Sequence, residues 1–211
     1  VKQVYGPGKQ GASFGYTHVR GLHFQIVTAS TPSSRPVIVA TRLRRGSAGS
    51  GKGAASLVAE AIRALREAGI TATIMVRADS AFFSAKLVKA VRAAGALFSI
   101  TVGNTRRIRA AIARIPETAW KPIKYRDAVW DPDEHRWVSE AEIAEIRYTA
   151  FASKAKDLQV TARLIVRRVK RLNPKTVPEG QGELFAAHRH HALLTDSPLT
   201  ITQAEPDHRR H

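Results

Sequence analysis

The hydrophobic period of the chain changes repeatedly between residues 54 and 103, and glycines punctuate the changes. Ala54, Leu57, Val58, Ala61, Ile62 and Leu65 recur at the spacing of one helix face, and Gly69 stops the pattern. An apolar run through Ile74, Met75 and Val76 follows and suits a buried strand. Ser84 then opens a second helical stretch over 84–95 as its N-cap, and Gly95 closes it. Residues 96–103, "ALFSITVG", return to a strand. Upstream, 16–28 and 35–43 suit two strands separated by the turn cluster "STPSS". The order β-β-α-β-α-β over 1–103 predicts a layered α/β fold.

The character changes after Gly103. "TRRIRAAIARI" predicts a short basic helix, and a charged segment with Trp120, Trp130 and Trp137 follows. Strand-like runs cover 144–151, 159–169 and 183–195, with a loop over 173–182. The last stretch, "SPLTITQAEPDHRRH", reads as the beginning of a helix. The expected organisation is a core over 1–103, a mostly β insertion over 104–195, and the start of a further core helix over 196–211. No internal repeat is evident.

Such a fold needs a core, and hydrophobic residues make up 44% of the 211, enough to set disorder aside. Lys and Arg number 34 against 17 for Asp and Glu, a formal charge of +17. That imbalance points to a polyanionic partner, because each phosphate neutralised releases counterions. Cysteine is absent, which excludes disulfides, thiolate zinc sites and Cys nucleophiles in these residues. No apolar stretch reaches the roughly 18–20 residues of a membrane-spanning helix. The opening "VKQVYGPGKQ" has neither an initiator Met nor the apolar stretch of a secretory signal. It reads as the start of a piece of a longer protein.

Four constellations could carry chemistry. "GSAGSGKG" fits G-x-x-x-x-G-K through Gly46, Gly51 and Lys52, between a predicted strand and helix. A P-loop NTPase would use it to cradle phosphate, with Asp79 as its metal-holding acid. Against this, Gly53 stands where Mg²⁺ requires a Ser or Thr hydroxyl, and the preceding strand ends in arginines. His188, His190 and His191 lie in a predicted strand, but no cysteine or acid at ligand spacing completes a zinc site. Basic groups recur at Arg42, Arg44 and Arg45, at Arg106, Arg107 and Arg109, at Arg167, Arg168, Lys170 and Arg171, and at Arg209 and Arg210. One such group is a solvated face; four separate ones suggest a surface that tracks phosphates. Finally, Asp79 ends the run "TATIMVRAD". A carboxylate at a strand's C-terminal end can hold a hard cation, or it can cap the segment that follows.

"KQGASFGYTHVRGLHF", "ATRLRRGSAGSGKGAA", "VRADSAFFSAKLVKAVRAAGALFSITV", "AEIRYTAF" and "HHALLTDSPL", in this order, resemble the insertion-sequence DDE transposases of DDE domain group 1. The resemblance implies an RNase H-like core, a mixed sheet with flanking helices, interrupted by a β-rich insertion. It implies three catalytic acids that hold Mg²⁺ or Mn²⁺ for DNA cleavage and strand transfer. The second acid falls on Asp79, as catalytic residue and metal ligand. The first acid would end a core strand lying just before Val1. The third follows a His-x-x-His pair matched by His208 and His211, about one turn beyond it. On this resemblance the chain as it stands is catalytically incomplete. Arg42, Arg44, Arg45, Arg106, Arg107, Arg167, Arg168, His208 and His211 are the expected DNA contacts. The partners implied are transposon ends and target DNA, with a homodimer in the synaptic complex and no membrane. The place implied is the prokaryotic cytoplasm, at the nucleoid. A Trp of the insertion could stack on an unpaired base, or all three could be core. The alternatives are the NTPase above and a basic DNA-binding remnant of a transposase without activity.

Overall fold

A computed structural model describes residues 2–6, 8–16, 18–124, 130–131, 136–137, 140–170 and 188–209. Twelve strands and four α-helices fall among them. Strands β1 (Lys2–Gln3), β2 (Ser13–Phe14), β3 (Arg20–Ala29) and β4 (Val37–Arg45) come first. Helix α1 (Ala54–Glu67), β5 (Met75–Ala78), α2 (Ala85–Ala93) and β6 (Leu97–Val102) follow. Then come α3 (Arg106–Ile112), β7 (Lys121–Lys124), β8 (Trp130–Asp131) and β9 (Arg136–Trp137). The long strands β10 (Glu140–Ala150), β11 (Val160–Lys170) and β12 (His188–Thr195) lead to α4 (Ile201–His208). The order β-β-α-β-α-β is thus present.

The caps read from sequence are in place. The Ser84 hydroxyl accepts from the Leu87 N–H, and Gly95 takes a positive φ of 66° after α2. One length differs: β5 begins at Met75, because residues 70–73 are exposed and unpaired with β6. Close backbone approach requires glycine at position 46. A Cβ on Gly46 would lie 2.1 Å from the Gly21 carbonyl oxygen, so only glycine lets loop 46–53 lie against β3.

A six-stranded sheet runs β5-β6-β12-β11-β10-β7, with β5 and β6 parallel and the other pairs antiparallel. The strands expected to form an insertion therefore extend the core sheet directly, through β12 beside β6. Alternation sorts the side chains onto two faces. Phe98 and Ile100 of β6, Leu164 and Val166 of β11 and Leu194 of β12 bury against Val88 and Val91 of α2 and Ile108 of α3. On the other face Ile143, Ile165 and Leu193 bury against Ile201 and Ala204 of α4. Strand β8 pairs with β9, and strands β1–β4 form a separate sheet around β3. One side of it packs Ala40 against Leu57 and Ala61 of α1. Among the described residues the edge of β3 beyond Leu22 has no strand partner opposite β4, and β5 has none opposite β6. No described helix is long and apolar enough to cross a membrane.

Candidate active site

Asp79 follows β5 at its C-terminal end and is exposed. Its Oδ1 accepts the Ala81 N–H at 2.8 Å and caps the short 3₁₀ turn Ser80–Phe82. Among the described residues no hydrogen bond or ion pair engages the second carboxylate oxygen, so capping and cation binding are compatible at this residue. Loop 46–53 lies alongside, with Gly51 next to the Ala81 carbonyl.

Helix α4 lies on the face of the sheet opposite α2 and α3 and reaches the same strand. Its first turn covers β10, β11 and β12 through Ile201. Its last turn reaches β6, where Ser99 Oγ and Thr101 Oγ1 each lie 2.9 Å from a ring nitrogen of His208. Asp207 reaches β5, accepting from Arg77 at 2.9 Å. The helix therefore crosses the sheet toward β5, and the pleat places Arg77 on the side that position 79 continues. A capping box between Thr200 and Gln203 starts α4.

The expected DNA contacts divide into two sets. Arg45, Arg106 and Arg107 are exposed. The other four, Arg42, Arg44, Arg167 and Arg168, have partners within the fold. Arg42 binds Glu60 at 2.9 Å and also Ser56 and the Gly53 carbonyl. Arg44 donates to the carbonyls of Gly49 and Lys52. Arg167 faces Glu205 of α4, 3.7 Å away. Arg168, 10% exposed, forms a fork with both Glu117 oxygens at 2.8 and 2.7 Å, binds Glu142 at 2.6 Å, and lies 4.3 Å over the Trp120 ring. The hydrogen bond from Arg168 holds the Glu117 carboxyl below its ordinary range, and the same bond raises the Arg168 pKa. Trp120 is buried core. His208 is 5% exposed, and both of its ring nitrogens meet hydroxyls of β6. His211 lies outside the described residues, as do the side chains of Trp130 and Trp137.

The direction of the backbone weighs against the phosphate-loop reading. Carbonyls of Ala48, Ser50 and Gly53 face His23, Gln25 and Arg42, and those of Gly49 and Lys52 face Arg44. A phosphate cradle requires N–H groups at its centre. Here protein donors fill the centre, and burial followed by the charge of Arg42 lowers the Arg44 pKa.

For a metal, Asp79 is a hard oxygen ligand of the type Mg²⁺ and Mn²⁺ accept. The described residues do not complete its coordination: no three His, Cys, Asp or Glu side chains are grouped for a metal ion. Asp196 does not stand in, since it accepts from the Phe98 N–H at 2.7 Å and from Arg92 at 3.1 Å, at the other end of β6. Asp207 is held by Arg77, and Glu205 is buried with Arg209 at 2.9 Å.

None of the inward-facing partners of His208, Arg167 or Arg168 was visible from sequence. The alternation of Ser99 and Thr101 within "LFSITV" was the one available signal, since it puts two hydroxyls on one strand face.

A mixed sheet flanked by helices, with a carboxylate at a strand end, is compatible with an RNase H-like nucleic-acid-processing fold. Residues 4–178 match the family model Transposase DDE domain group 1, and the chain belongs to that family. No curated protein matches the chain.

Proposed function

We propose that the chain is the catalytic domain of an insertion-sequence transposase, with Asp79 as one carboxylate of a three-acid centre. The reaction is phosphodiester cleavage at the element's ends followed by strand transfer into target DNA. The observation that carries this reading is the meeting of Asp79's strand with α4 through Arg77 and Asp207, 2.9 Å apart. The resemblance assigns the second acid to that strand and the third to the continuation of that helix.

Each residue has a role that follows from its place. Asp79 directly follows a sheet strand and is tied to the turn it caps, which fixes a ligand better than a mobile loop. Arg77 and His208 position α4. Arg45, Arg106 and Arg107 supply exposed positive charge for duplex phosphates, and Mg²⁺ or Mn²⁺, when bound, offsets charge that builds on the scissile phosphate. The working form is a homodimer that brings two transposon ends together.

The test is Asp79→Asn in the intact transposase. Cleavage of transposon-end DNA should fall by ~10³-fold, equivalent to several kcal/mol of lost transition-state stabilisation. Duplex affinity should stay within about twofold, because one exposed charge contributes little to it. Cleavage retained in Mg²⁺ or Mn²⁺ would reject the role of Asp79.

A further inference from the structure

The sheet end that carries Asp79 holds a second feature. Strands β5 and β6 run parallel, so their C-terminal ends share one end of the sheet. Strand β12 runs the other way, and its register with β6 begins at Ala192 opposite Val102. Its first residues, His188 to His191, pair with β11 on one side. On the β6 side they have no strand partner among the described residues. A notch opens there, a cavity of about 400 Å³.

The chemistry of the notch is one-sided. Asn104, Arg189, His188, His190, His191 and Thr101 supply its polar lining. Among the described residues no carboxylate lines it; Glu117, close enough to His188 to interact electrostatically, is engaged by Arg168, and Glu205 and Glu142 pair with Arg167 and Arg168 outside the notch. Arg189, His191 and Asn104 are exposed, and so are Arg106 and Arg107 just beyond Asn104. Val102 and Ile108 form an apolar floor that gives the notch depth. A hydrogen-bonding rim of histidines, Arg189 and Asn104, with no acid among its described lining residues, suits an anion rather than a cation or a neutral peptide. Strand spacing puts the notch roughly 10 Å from the strand of Asp79, about three nucleotide steps of duplex rise.

We infer that this notch is a phosphodiester-binding subsite, which grips the DNA backbone a few nucleotides from the bond presented to Asp79. The inference rests on the reading of the chain as a DNA transposase. It adds a contact that none of the basic clusters visible in sequence contains, since Arg189 stands alone among histidines. Arg189 and Asn104 are binding residues here, with no part in bond cleavage.

The test is binding of the 211-residue chain to a fluorescent 20-bp duplex across a salt series. Arg189→Ala should weaken binding about fivefold and make the log–log salt slope shallower by about one. Asn104→Asp, which puts a carboxylate in the notch, should weaken it by roughly tenfold or more. Lys154→Ala is the control. Lys154 is exposed in the turn between β10 and β11, at the other end of the sheet. It removes the same charge and should change affinity less than about twofold. Since the three altered residues are exposed, folding is not at risk. Notch variants that match Lys154→Ala would overturn the subsite while leaving the role of Asp79 to its own cleavage test. Failure of the unaltered chain to bind duplex at low salt would overturn both.

Discussion

The two sheets are written in the same alternating pattern but reach different degrees of burial. In the six-stranded sheet Phe98, Ile100, Leu164 and Leu194 are fully enclosed on the side of α2 and α3, and α4 closes the other side over Ile143 and Ile165. In the four-stranded sheet α1 covers one side only. Phe24 opposite Leu43 remains 47% and 65% exposed, and Ile26 and Ile38 are also exposed. Alternation therefore identifies a strand and its faces, whereas the helices that reach it decide what those faces are worth. Here the covered sheet also carries both candidate sites at one of its ends.

The largest test of this contrast is a pair of truncations. Leu164→Ala removes a side chain that is 0% exposed in the middle of β11 and should cost about 2–5 kcal/mol. Phe24→Ala, at a half-exposed position, should cost less than about 1.5 kcal/mol. Urea unfolding midpoints at constant slope would measure both. Equal losses would mean that the outer face of β3 and β4 is as well covered in solution as the core of the larger sheet.

A smaller effect should follow from loosening α4, the element that distinguishes the two sheets. Thr101→Val keeps the shape of the side chain but removes the hydroxyl 2.9 Å from His208 Nε2. The expected loss is about 1 kcal/mol, the net value of a hydrogen bond, rising if the ring nitrogen finds no water. Hydrogen exchange should speed up in α4 and leave β3 and β4 unchanged. Unchanged exchange in α4 would show that the contact with β6 does not hold the helix.

How far the sequence spoke for the fold depended on the distance between partners. Ser84, Gly95 and the 54–65 periodicity announced their elements because capping and amphipathicity are local. The cap at Asp79 was legible for the same reason, since its strand and the turn it caps lie within five residues of it. The adjacent Arg167 and Arg168 looked like one basic patch. In a strand, neighbours point to opposite faces, so one reaches Glu205 of α4 and the other Glu117, Glu142 and Trp120. Those acids lie tens of residues away in the chain, and pairing across that distance is set by sheet order. Loop 46–53 shows the same limit, since its spacing fitted a phosphate loop while the direction of its carbonyls depended on β3 and β4. The notch was hidden too, because it exists only where β12 outruns β6.

The smallest expected effect concerns that overhang and sharpens the comparison by pH. Burial, then His188 and Arg168, hold His190 below the ordinary imidazole range. Burial, then Arg167, Arg189 and His190, do the same for His191. Both rings are therefore harder to protonate in the folded chain than in the unfolded one. As pH falls through about 6.5, the unfolded chain takes up protons first, so folding stability drops. The contribution is fully present above that pH and is lost progressively as pH falls through the depressed folded values. DNA binding at the notch should move in the opposite direction, because a bound phosphate favours the protonated rings. Unfolding midpoints should thus fall modestly between pH 7.5 and 5.5, while duplex affinity at fixed salt rises. His190→Asn combined with His191→Asn should flatten both trends. A pH response of equal size in the double variant would assign it to other groups and separate the two histidines from both folding and DNA binding.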